Sequence, residues 1–250
     1  MNEKEIEQLK YPIGKVEWNE NPLISEFNKA IEALERFPND LKKLTLEFTE
    51  EMLQYKYRPG SWNIAQIVHH LADSHLHSYI RLKYAVLENT PTIKSYNEMD
   101  WANTFDGKNL NISYSLALLE ALHKRYVVFI KSLTKSDFQK KYFHPERNKF
   151  YPVGTTLLIY AWHGQHHIAH IKNVIQMKFI KKTESYDSAF LHAIINGLFS
   201  SRFFSILCVK HYWSGNEYRR IRSYHYSYNQ GKHKSTNGFS SKNKNSQKYY

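Results

Sequence analysis

The stretch Leu157-Leu158-Ile159-Tyr160-Ala161-Trp162-His163-Gly164-Gln165-His166-His167-Ile168-Ala169-His170-Ile171 decides the reading of this chain. As a helix it sets His163 four residues before His167, and His166 four before His170. Side chains at i and i+4 sit one above the other, about 5–6 Å apart at Cβ, so two imidazoles can grip one ion. At about 100° per residue, His163 and His167 point with Ile159, Tyr160, Ile171 and Val174, the inward stripe. His166 and His170 fall toward its edge. The spacing predicts a helix from Leu157 to Phe179, capped by Thr155 or Thr156.

A second histidine-bearing helix is predicted from Ile64 to Asn89, capped by Ser61 or Asn63 and ended by Thr90-Pro91. It carries His69, His70, His75 and His77. Its apolar arc is Ile64, Ile67, Val68, Leu71, Leu82 and Ala85. His69 points roughly 160° from the centre of that arc and is expected to face solvent. His70 lies at the arc's edge and His75 within it, and phase leaves either as a partner for the pair on the later helix. A lone inward histidine is ordinarily a hydrogen-bonded core residue. Two at i, i+4 facing another histidine-bearing helix point instead to a metal site built inside a bundle. Three neutral imidazoles suit Zn²⁺, Ni²⁺ or Fe²⁺ and leave a position open for water or substrate.

Outward from these two segments, residues 1–22 read as an extended arm punctuated by Pro12-Ile13-Gly14 and Asn21-Pro22. Phe27, Ile31, Leu34, Leu41, Leu44 and Phe48 mark another helix, which Pro38 is expected to kink or split. Ser113 opens a further helix through Leu119, Leu122 and Ile130 to about Leu133. Residues 141–154 lack a helical period and read as a hairpin or ordered loop. Four long amphipathic helices predict an all-α chain folded as a four-helix bundle.

The formal charge is +12, but it is unevenly placed. Residues 181–250 hold 12 Lys/Arg and 3 Asp/Glu, which leaves 23 basic and 20 acidic residues in the first 180. The chain therefore divides into a bundle domain, 1–180, and a basic extension, 181–250. Residues 223–250 have hardly an aliphatic side chain and are expected to lack fixed structure. The apolar stretch 190–209 is about long enough to span a bilayer, but His192, Asn196 and Arg202 would be costly there, so no membrane span is expected. The single cysteine, Cys208, excludes an internal disulfide framework and fits a reducing compartment. The acidic N-terminus with no apolar core is not a secretory signal.

The blocks HHLADSH (69–75), Trp101-Ala102 and WHGQHHIAH (162–170), with SLALLEALHKRY (115–126) between them, together resemble the YfiT-like metal-dependent hydrolases of the DinB superfamily, which also holds bacillithiol S-transferases. The likeness covers residues 11–178 in order and spacing, and the extension has no part in it. The resemblance implies a DinB-like four-helix bundle that is cytoplasmic and homodimeric. It implies one divalent transition metal per subunit, zinc before nickel or iron, held by His70, His163 and His167. The expected activity is that of a metal-dependent enzyme, either a hydrolase or a low-molecular-weight thiol S-transferase of bacillithiol type, acting on a small molecule.

An ion with three neutral ligands keeps its full charge and favours a thiolate, so transfer is expected over hydrolysis. Asp73 and Glu98 are candidates for a hydrogen bond to a ligand or for a general base. Arg81, about three turns beyond His70, is placed to hold an anionic substrate group. The alternative is a non-catalytic metal-binding protein whose basic tail, including Tyr218-Arg219-Arg220-Ile221-Arg222, grips nucleic acid. A solvated tail without a nucleic-acid partner is the reading preferred here.

Overall fold

The computed structural model describes the backbone of residues 2–195 and side chains as far as Lys178. The chain divides into two compact units, 1–182 and 183–250, and all that follows concerns the first. The expectation of a basic tail without fixed structure concerns residues that, from 196 onward, lie outside those described.

Four long helices form the frame: α2 (Ile24–Thr45), α4 (Ile64–Leu87), α6 (Ser113–Lys131) and α7 (Val153–Ile195). Around them run α1 (Glu3–Lys10), the short α3 (Glu50–Leu53) and α5 (Glu98–Ala102), and an antiparallel hairpin of β1 (Lys141–His144) and β2 (Lys149–Pro152). No described helix is long and apolar enough to cross a membrane.

Side-chain caps start four of the helices, α1, α3, α4 and α5. Asn63 begins α4 with a reciprocal box: its side chain accepts from the Gln66 N–H, and the Gln66 amide accepts from its own N–H. Thr90, with φ of 50°, turns the chain after α4. The predicted hairpin at 141–154 is present, in the register Lys141 opposite Pro152 to His144 opposite Lys149.

Three expectations need correction. Residues 1–22 are not wholly an extended arm: Asn2 and Glu5 form a capping box that starts α1. Pro38 does not split α2, which runs unbroken through it with Pro38 buried. Thr155 and Thr156 lie inside the first turn of α7, and it continues beyond residue 180. The Thr155 hydroxyl donates to the Asn19 carbonyl at 2.6 Å, and that of Thr156 to the Pro152 carbonyl at 2.9 Å. Thr155 thus ties the N-terminal segment to the bundle rather than capping a helix.

The core falls into two apolar clusters, one at each end of the bundle. Phe37, Leu41, Ile64, Ile67, Leu71, Leu119, Ile168 and Ile171 form the first. Leu34, Tyr79, Leu82, Leu122, Tyr126, Leu157 and Tyr160 form the second. The segments between the clusters carry His75 on α4 and His163, His166 and His167 on α7, while His70 and His170 sit on the flank of the first cluster, so together the histidines form a polar layer at the waist. Burial on this scale holds the layer in place, since each large apolar side chain contributes about 1.5–3 kcal/mol. Gly164 lets α2 approach that layer: a Cβ there would lie 2.8 Å from the Phe37 ring.

Candidate metal centre

At the waist, α4 supplies His70 and successive turns of α7 supply His163 and His167. One ring nitrogen of each lies within 4.8 Å of the others. The His70 and His163 Nε2 atoms are 3.2 Å apart. Two nitrogens bound tetrahedrally to one ion at about 2.0–2.1 Å are separated by about 3.3 Å, so this pair already has that spacing. The three rings meet at 71°, 70° and 84°, edge toward face, with their nitrogens converging rather than stacked.

Burial lowers all three basicities. His70 is pushed down to about 3, and His163 and His167 fall well below the usual histidine value, with neighbouring histidines adding to the effect. All three are therefore neutral near pH 7 and present lone pairs. The donor set fits a divalent transition metal.

The remaining histidines decide which nitrogen carries each lone pair. Pro38 has no N–H, so the Leu34 carbonyl four residues earlier lacks its helical donor. His123 fills that place: its Nδ1 lies 2.7 Å from the Leu34 oxygen, and since a carbonyl only accepts, Nδ1 carries the proton. Neutral His123 then accepts at Nε2 from His75 Nδ1, 3.0 Å away. His75 in turn accepts at Nε2 from His163 Nδ1 across a looser 3.4 Å. The series leaves His163 Nε2 unprotonated, facing His70.

A second series reaches the same result for His167. Lys10 ends α1, and its carbonyl is among those a helix C-terminus leaves unpaired. His170 Nε2 donates to it at 3.1 Å. His170 Nδ1 must then accept from His167 Nδ1 at 3.4 Å, leaving His167 Nε2 free. Ligands oriented this way by their second nitrogen bind metal more tightly.

Burial also lowers His123 and His170, each to about 4, and His75 well below the usual value, which keeps both series neutral. Aromatic faces fix the rings: Phe37 stacks on His75 at 4.9 Å and Tyr57 on His170 at 4.0 Å.

The other predicted positions are placed as follows. His69 is not solvent-facing: it is half-buried, 2.7 Å from Ser115 Oγ and 2.8 Å from the Asn109 carbonyl, because the approach to α6 covers that side of α4. His166 and His170, expected at an edge, are buried, since Tyr11 and Lys10 cover them. Asp73 is half-buried, and burial with the nearby Asp106 charge pushes its carboxyl up to about 6. Arg81 is buried, and Glu98 lies with it on the wall of a cleft of about 580 Å³ that also reaches Trp62. The Trp62 ring packs 4.6 Å from His70, so cleft and metal centre share a wall.

Sequence reasoning missed the roles of His123, His170 and the two carbonyls. The inward phase of His123 beside Leu119, Leu122 and Tyr126 was a usable signal. Main-chain carbonyls leave no trace in residue type, apart from the proline that frees one of them.

A four-helix frame whose interior converges three neutral imidazoles, with a cleft alongside, defines the class of helical-bundle metalloproteins. Residues 33–171 match the DinB superfamily, and the chain belongs to that family. A protein of Oceanobacillus iheyensis provisionally named a metal-dependent hydrolase is 41% identical over 169 residues, covering 68% of this chain and 97% of its own. YfiT of Bacillus subtilis, provisionally named in the same way, is 40% identical over 163 residues, covering 65% of this chain and 92% of its own. A solved structure of YfiT, a four-helix bundle described as unusual in topology, superposes with a TM-score of 0.67 at 38% identity. It covers 68% of this chain and 98% of the other.

Proposed function

We propose that this protein is a metal-dependent enzyme whose His70–His163–His167 centre activates a nucleophile against a small-molecule substrate. The observation that carries the reading is the convergence of three neutral imidazole nitrogens at the bundle's waist, beside a cleft. A divalent ion held there supplies, at neutral pH, a nucleophile from water or a thiol by lowering its pKa.

The protein's own residues orient the site. His75 with His123, and His170 alone, hold the protons of His163 and His167 away from the ion. Trp62 packs on His70 and Tyr57 on His170, which holds those two rings in place. Arg81 and Glu98 face the cleft, Arg81 as the holder of an anionic group and Glu98 as a candidate base. Asp73, with a carboxyl near 6, is the other candidate base.

Between the two nucleophiles the reading favours a thiol. No carboxylate is hydrogen-bonded to the three ligands among the described residues, so the ion keeps its full charge for an anionic sulfur. The sole cysteine, Cys208, lies outside the described residues, and the sulfur is taken to come from a free low-molecular-weight thiol. Zinc is the proposed ion, and a cytoplasmic homodimer the proposed state.

The test supplies the metal-loaded protein with bacillithiol or a similar thiol and a chlorinated aromatic or an epoxide. Metal-dependent conjugate is expected. Turnover of an ester or amide with no conjugate from any thiol would assign hydrolysis instead. Metal analysis of the purified protein, expected to give about one equivalent of zinc per chain, tests the ion.

A further inference from the structure

The cleft beside the metal centre is lined by three arginines from separate parts of the chain: Arg58 before α4, Arg81 within it, and Arg147 at the turn of the hairpin. Trp62, Tyr96 and His144 line it with them. Arg81 is only 8% exposed, yet its Nε has no partner, and its one hydrogen bond to a main-chain carbonyl, from Nη2 to Lys94, is long at 3.4 Å. The Arg58 Nε is likewise buried and unpartnered, as is Nδ1 of His144. Among the described residues no ion pair joins any of the three guanidinium groups to a carboxylate. Glu98 and Glu146 also line the cleft without closing such a pair.

A buried guanidinium is ordinarily paired, because removing its charge from water is costly. Here a buried Arg81, a half-buried Arg58 and an exposed Arg147 border one cleft, with unsatisfied donors on the first two. Their closeness is visible in His144, whose basicity is lowered by burial and then by the Arg81 and Arg147 charges. Planar guanidinium forks match the oxygens of carboxylate and phosphate groups, and such groups would satisfy the open donors. Trp62 lines this pocket and packs on His70, so the pocket lies beside the metal centre.

We propose that Arg58, Arg81 and Arg147 form a recognition pocket for an oxyanion group of the substrate, carboxylate or phosphate, which makes the substrate an anionic small molecule. The assignment rests on the metal-enzyme reading above and adds the chemical class of its substrate.

Succinate, inorganic phosphate and the neutral succinamide serve as probes, titrated calorimetrically into the full-length protein, metal-loaded and chelated, with metal content measured in parallel. One anion per chain should bind saturably, more weakly as salt is raised, while succinamide should not bind. The tighter of succinate and phosphate names the source of the oxyanion. Arg58→Ala and Arg147→Ala should each loosen binding about tenfold without changing metal content, as expected for loss of a charge-assisted hydrogen bond. Arg81→Lys, which keeps the charge but loses the fork, should also weaken binding, and circular dichroism checks that it folds.

Absence of anion binding by the folded wild type, or equal binding by the Arg58→Ala/Arg147→Ala double variant, would overturn the pocket. Binding that is abolished by chelation yet indifferent to the arginines would place the anion on the ion and overturn it too. Anion binding through the arginines in a protein that takes up no metal would leave the pocket standing and remove the metal-enzyme reading.

Discussion

The histidines at the waist act through the atoms they leave free, and those atoms can be checked one by one. Replacing His70, His163 or His167 by Ala should strip the bound metal. His69→Ala should retain about one equivalent and lose only about 1–2 kcal/mol of stability, from its bonds to Ser115 and the Asn109 carbonyl. Full metal retention by His163→Ala would end the ligand assignment. The tautomers are a finer check. Nitrogen NMR of the imidazoles should find the proton on Nδ1 of His75, His123, His163 and His167, and on Nε2 of His170. A proton on His163 Nε2 in the metal-free protein would contradict the series that ends at Leu34. His75→Ala and His170→Ala should each weaken metal binding about 10–100-fold in competition with a chelator, as loss of an orienting partner does.

At the scale of elements, α2 carries a conflict between its own stability and the site. Pro38 costs the helix a hydrogen bond, yet that missing bond is what leaves the Leu34 carbonyl for His123. Pro38→Ala should therefore raise the melting temperature, by about 1 kcal/mol or more of stability, while lowering metal affinity about tenfold. A variant that gains both would show that Pro38 has no part in the centre.

The same region shows what was legible in the sequence. The four long helices and the pair His163 and His167 followed from 3.6-residue periodicity, because burial on one face writes itself into residue type. The choice of His70 over His75 did not follow, since both lie on the apolar side of α4 and their difference is one of height. It took the family resemblance to prefer His70, and the structure brings that residue to the pair while using His75 behind it. The site's arginines were the least legible. Arg58 and Arg147 sit in irregular segments with no period to betray which way they face, and only Arg81, on a helix, was within reach of a phase argument.

The whole molecule carries its polar layer between two apolar clusters, and acid should find that layer first. A histidine whose folded pKa is lowered binds fewer protons in the folded state than in the unfolded one. Stability is then greatest above the ordinary histidine value and is lost as pH falls through the window below it. For His123 that window runs from about 6.5 down to about 4. In chelated protein, melting temperature should fall across this range, and His123→Gln should flatten the fall. Asp73 runs the other way: its carboxyl is raised from 3.8 to about 6, so the folded state binds the extra proton and stability declines as pH rises through that interval. Asp73→Asn should gain stability relative to wild type between pH 4 and 6. A gap that narrows over that interval would mean that Asp73 is not desolvated.

One end of the second histidine series is the Lys10 carbonyl, so an ion held by the proposed ligands would be thermodynamically linked to α1. Whatever favours one must favour the other by the same free energy. A metal added at the waist should slow amide hydrogen exchange in residues 3–11, although none of them touches it. Conversely, a ligand or modification that pulls α1 away would lower the affinity for metal without entering the site, which makes this N-terminal turn a place from which metal occupancy can be controlled.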